Sequence, residues 1–160
     1  MSRLLWIAAL MLSLLATLAL GACGGGGESS DVEEKNAYVR ELNAAQSDFR
    51  SSAEEMSEQR IPAANSAKIR LVQRLEGAVD EVVKAMRGID VPGDVRAEHQ
   101  QLIDTMTGFR TAVQQLTQTY RGGDARKLRA AIATFKAAQV NTDTRVNATI
   151  AAINSKLTAS

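Results

Sequence analysis

The stretch VRAEHQQLIDTMTGFRTAVQQLTQTY, residues 95–120, carries Val95, His99, Leu102, Met106, Phe109, Val113, Leu116 and Tyr120 at alternating steps of four and three. That spacing draws one line of mostly apolar side chains along a helix. Polar residues fill the positions between, so the helix has one face to bury and one to hydrate. Gly122-Gly123 stop it, and Asp124 is a good N-cap for a helix that follows.

Three further stripes of the same kind flank it. Tyr38, Leu42, Ala45, Phe49, Ser52 and Met56 form the first, polar only at Ser52. Ser30-Asp31-Val32-Glu33 ahead of it has the form of a capping box. Val72, Leu75, Val79, Val82, Met86 and Ile89 form the second, widened by Leu71, Ala78, Val83 and Ala85, which marks this helix as the most buried. Pro62 suits its first turn, and Asp90-Val91-Pro92-Gly93 ends it. The last stripe runs Leu128, Ile132, Phe135, then Val146, Ile150, Ile153 and Leu157, with Gln139 and Thr142 interrupting. No segment alternates with a strand period. Four stripes joined by short breaks predict an all-α, antiparallel up-down four-helix bundle over residues 31–158. Counting from each turn puts Leu42, Val79, Met106 and Gln139 in one layer, then Ala45, Leu75, Phe109 and Phe135, then Phe49, Val72, Val113 and Ile132.

The N-terminal segment has a different character. Arg3 precedes an apolar run from Leu4 to Leu20 broken only by Ser13 and Thr17, and Leu20-Gly21-Ala22-Cys23 closes it. Its 17 residues fall short of the about 20 needed to cross a bilayer, and no basic cluster follows. An ordinary secretory signal is the nearer rival, but a Leu three residues before a lone Cys favours a different processing. This run resembles the lipobox of a bacterial lipoprotein precursor. The resemblance implies that residues 1–22 are a cleaved signal peptide and that Cys23 is lipidated, palmitate being the usual acyl group, and becomes the mature N-terminus. Residues 23–30, with four glycines, then form a short flexible tether. The implied location is extracytoplasmic, on the cell membrane of the bacterial envelope, with inner and outer membrane left open. Beyond the signal, the Val91-Pro92 to Phe109 region is similar to small helical-bundle lipoproteins of bacterial envelopes, a likeness that carries no functional residue with it.

Composition narrows the function further. Cys23 is the one cysteine, so the domain has no internal disulfide and must hold together through its core. Without Arg3 the 19 basic residues become 18, equal to the 18 acidic ones. That balance argues against a nucleic-acid partner, which would call for a strongly basic face. The charge is nonetheless uneven: residues 28–60 hold nine acids and four bases, hence −5, and residues 61–160 hold nine acids and fourteen bases, hence +5. An acidic first helix lying beside a basic last helix accounts for this, and a partner surface is the alternative.

Candidate chemistry is sparse. His99 is the one histidine and lies on an apolar stripe, facing Met86 across a hairpin, with Val146 and Lys35 near that level. A His and a Met meeting inside a bundle resemble the axial pair of a haem site, or a soft-metal site. A buried histidine bonded to a carbonyl of the turn is the plainer reading, since no second His or Cys completes a metal set. Gln139 and Thr142 either line a small polar pocket or mark drift of a straight helix off the 3.5 repeat, with burial passing to positions such as Ala138. Gly77 and Gly108 stand on outward faces. Asn147-Ala148-Thr149 matches a glycosylation acceptor by chance composition. No phosphate-binding loop, dinucleotide motif or hydrolase elbow appears. The sequence therefore points to a non-enzymatic binding or scaffolding module without a cofactor, with an envelope protein as its possible partner. A haem or metal carrier or sensor using His99 and Met86 is the alternative.

Overall fold

A computed structural model describes residues 29–59 and 64–159. Four helices fill nearly all of it: α1 (Ser29–Glu58), α2 (Asn65–Arg87), α3 (Arg96–Gly122) and α4 (Ala125–Ala159), with a 3-10 turn, Gly93–Val95, leading into α3. The described residues contain no strand, and the chain is an all-α, antiparallel four-helix bundle. Among the described residues no helix is long and apolar enough to cross a membrane. The apolar run 4–20, Cys23, the Gly-rich tether and Pro62 lie outside the described residues.

Local chemistry sets the helix ends. Gly123 takes φ +71°, the left-handed conformation that a side chain would oppose, and closes α3. One residue on, the Asp124 carboxylate accepts the amides of Arg126 at 2.8 Å and Lys127 at 3.1 Å, capping α4 as its sequence predicts. At the other hairpin the amides of Gly88 and Ile89 bond back to Ala85 and Met86, and Val95, fully buried, ties to Pro92. The first boundary differs from expectation. Helix α1 already includes Ser29 and Ser30, so it begins ahead of the Ser30 capping box, and Asp31 pairs instead with Lys35 one turn later.

The core is one cluster, unevenly filled. Tyr38, Leu42, Ala45 and Phe49 of α1 meet Val79, Val82, Val83 and Met86 of α2 and Leu102, Met106, Phe109 and Val113 of α3; Ile153 and Leu157 complete it from α4. Fully burying each of the larger side chains contributes roughly 1.5–3 kcal/mol. Helix α3, not α2, is the most buried element, because the first half of α2 adds no buried side chain: Leu71, Val72 and Leu75 are only half-covered, and Ala85 is exposed. The first half of α4 is similar. Phe135 packs on Phe109 with ring centroids 5.7 Å apart, but Leu128, Ile132 and Gln139 stay half-exposed. Of the residues counted into the three layers, those on α1 and α3 are buried, whereas Val72 and Leu75 on α2 and all three on α4 are half-covered, so the core loosens towards the end of the bundle where α3 turns into α4.

On the second half of α4 the stripe keeps Ile153 and Leu157 buried, and Thr142, one of its polar interruptions, is buried with them instead of giving way to Ala138. Thr149, off the stripe, is buried too, while Val146 and Ile150 are half-covered. A threonine tolerates this position because its hydroxyl can bond the carbonyl one turn back, as Thr149 does to Arg145 at 2.8 Å.

Close contacts follow chain order: α1 on α2, α2 on α3, α3 on α4. Helices α1 and α4 do not pack extensively together, so the acidic first helix is not buried beside the basic last one as expected. The loose first half of α4 offers no buried side chain for α1 to close on. Gly77 and Gly108 face open space, with no atom within 4 Å of where a Cβ would stand. Gly77→Ala and Gly108→Ala should each stabilise the bundle by up to about 1 kcal/mol, seen as a higher urea midpoint.

Candidate functional site

His99 sits in the first turn of α3, reached through the Gly93–Val95 turn, and is 4% exposed. Its Nε2 lies 2.9 Å from the Met86 carbonyl oxygen, and its Nδ1 lies 3.1 Å from the Tyr38 hydroxyl. A carbonyl only accepts, so Nε2 carries the proton and donates it. In the neutral ring Nδ1 then holds a lone pair, and the Tyr38 hydroxyl donates to it. The two rings also meet edge-on, with centroids 5.6 Å apart. The Met86 oxygen accepts the Ile89 amide as well, at 3.2 Å, so both its lone pairs are engaged. Tyr38 is 1% exposed, and burial, with the nearby Glu98 charge adding to it, pushes its hydroxyl pKa far above the ordinary 10.0.

Ions ring this trio. Lys35, buried despite its charge, bonds Asp31 at 2.9 Å and Asp94 at 3.6 Å; those carboxylates, Asp31 first, raise its pKa. Lys156, arriving from the end of α4, meets one oxygen of Glu98 at 2.8 Å and the Asp94 carbonyl at 3.2 Å. The Lys156 contact, and next the Glu98 backbone amide, lower the Glu98 pKa. Its second carboxylate oxygen is buried without a hydrogen-bond partner. This end of the bundle is thus pinned by ion pairs converging on the turn before α3.

These pKa directions predict the pH profile of stability. Glu98 is lowered, so its contribution is present above the ordinary 4.5 and lost as pH falls through the lowered value. Lys35 and Tyr38 are raised, so theirs is complete below 10.5 and 10.0 respectively and drains away as pH climbs past those values. Thermal midpoints measured across the alkaline range should fall beyond pH 10, and Tyr38→Phe should make that fall shallower.

The arrangement does not fit an axial His–Met pair. Met86 meets His99 through its backbone carbonyl, and neither ring nitrogen has a lone pair free for iron or copper. Among the described residues no group of three His, Cys, Asp or Glu is placed to hold a metal ion. A shallow open groove beside the ring brings Glu34, Arg87, Asp90, Arg96 and Gln100 to its rim, a mixture of signs without a convergent set. Gln139 and Thr142 stand on a different stretch, in the middle of α4, and do not join it. Asn147 is half-buried on the same helix. Tyr38 was legible as a stripe residue but not as the partner of His99; the signal lay in two polar-tipped rings on neighbouring apolar stripes. Comparison with family models, with curated proteins and with solved structures gives no match to this chain, so the reading of the site rests on its own geometry.

Proposed function

We propose that this protein is a lipid-anchored, extracytoplasmic lipoprotein of the bacterial cell envelope whose helical bundle acts as a non-enzymatic binding or scaffolding module. The observation that carries this is Leu20-Gly21-Ala22-Cys23 at the end of an apolar run, with Cys23 the one cysteine of the chain. Lipidation of that thiol explains a cysteine with no partner for a disulfide, and two or more acyl chains make anchoring stable. Helix α1 starts at Ser29, six residues after Cys23. Such a tether reaches at most about 20 Å, which would hold the ion-paired end of the bundle next to the bilayer.

The geometry around His99 supports the non-enzymatic reading. The one histidine has both nitrogens committed to the fold, and the ions closest to it are taken up in the Lys35–Asp31, Lys35–Asp94 and Lys156–Glu98 pairs. Nothing there is arranged as nucleophile and base. Fractionation of cells expressing Cys23→Ser tests the anchor: the wild type should sediment with membranes after processing, and the variant should accumulate as unprocessed precursor. A variant processed and distributed like the wild type would refute it.

A further inference from the structure

The charge asymmetry of the chain loses its internal explanation in the fold. Helix α1 carries eight acidic and three basic residues, hence −5, and α4 carries six basic and one acidic, hence +5. The two helices do not pack extensively on each other. Among the described residues, Glu33, Glu34, Glu41, Asp48, Glu55 and Glu58 of α1 form no ion pair, and neither do Arg126, Lys127, Arg129, Lys136 and Arg145 of α4. All of these side chains are exposed. One molecule therefore presents two unpartnered faces of equal and opposite charge.

Each face is organised along its helix. Glu34, Glu41, Asp48 and Glu55 recur every seventh residue of α1, so they form one acidic line that drifts only about 20° per step. On α4, Arg126, Arg129, Ala133, Lys136, Ala137 and Val140 fall within about 100° of arc on the side away from the core. Val140 is 56% exposed at the centre of that helix, and the alanines beside it let another helix approach closely.

We infer that these faces bind each other between copies: α1 of one chain docks on α4 of the next. The fold sets the register. Lys35 and Lys156 both reach Asp94, which fixes the relative height of α1 and α4. Twenty residues from those lysines, about 30 Å along each axis, stand Glu55 on α1 and Lys136 on α4 at equal height. Two copies standing the same way up therefore bring Glu55 of one to Lys136 of the other. The contact is heterologous, leaving a free acidic face at one end and a free basic face at the other, so it extends to a ring or a row. Copies held to one bilayer by their N-termini would already stand this way up and at high effective concentration. The docking itself does not depend on the anchor.

The test uses the full chain purified in mild detergent, with sedimentation velocity and carbodiimide coupling of lysines to carboxylates in a mixture of isotopically light and heavy protein. Wild type should associate, with affinity falling at least about tenfold between roughly 0.05 and 0.5 M salt. Coupled Glu55–Lys136 peptides should join light to heavy chains. The triple variants Glu41→Lys/Asp48→Lys/Glu55→Lys and Arg126→Glu/Arg129→Glu/Lys136→Glu should each be monomeric, with unchanged helical circular dichroism, and should associate when mixed. That rescue is unique to an α1–α4 contact between copies. If a reversal variant loses its helicity, the mixed-isotope coupling of wild type decides alone. A monomeric wild type, coupling confined within chains, or association that survives both reversals would overturn the inference, whatever the state of Cys23.

Discussion

Phe109→Ala is expected to destabilise the bundle by about 3–5 kcal/mol, read as a large drop in the urea midpoint at unchanged slope. Phe109 is 4% exposed in the middle of α3, between the buried residues Met106 and Val113. Its ring carries the stacking contact to Phe135, the main aromatic link between α3 and the loose first half of α4. Removing it leaves a cavity in the filled part of the core and frees Phe135 at once. Ile132→Ala, ten residues from Thr142, the nearest buried residue of α4, should cost less than half as much, since that side chain is already partly in water. Equal losses at the two positions would mean that the core is filled evenly from end to end.

The second large effect concerns the buried ring pair. Tyr38→Phe should cost about 1–3 kcal/mol, because it strands the Nδ1 lone pair of a histidine 4% exposed. His99→Leu should cost about as much or more, since it strands the Tyr38 hydroxyl and removes the bond to Met86. The double variant strands neither group and should cost at least about 1 kcal/mol less than the two single losses together. Strict additivity in that cycle would show that the two side chains do not share a hydrogen bond. The same measurement bears on His99 as a ligand, because a ring that supports the fold through both nitrogens has none to offer.

Most of the fold was legible because a helix writes its buried face as a spacing. The stripes on α1 and α3 reappear almost residue for residue, and Asp124 and Gly123 act as their chemistry requires. Ala85 and Leu71 show where legibility ended. A stripe says which side of a helix turns inward but not how closely a neighbour covers it, so α2 read as more buried than it is. Thr142 and Thr149 mislead in the opposite sense: both are polar letters that bury, Thr149 with its hydroxyl bonded to the Arg145 carbonyl one turn back.

The candidate site was half visible. His99, Met86 and Lys35 were placed at one level from the hairpin count, and the turn carbonyl was the expected plain partner for the ring. The Tyr38 hydroxyl and the Lys156–Glu98 pair were not, because they join helices through side-chain reach rather than through backbone register. The placement of α1 against α4 is likewise not written in the stripes. Up-down order makes those two helices neighbours only when both offer apolar surface along their length, and the first half of α4 does not.

Everything proposed about the place of this bundle in the cell turns on Cys23. The intact mass of the protein extracted from bacterial membranes is the most direct measurement of it. The account predicts a chain that begins at Cys23 and carries the added mass of a diacylglyceryl group, with or without a further acyl chain. A chain that retains residues 1–22, or one that begins elsewhere with a free Cys23 thiol, would contradict it.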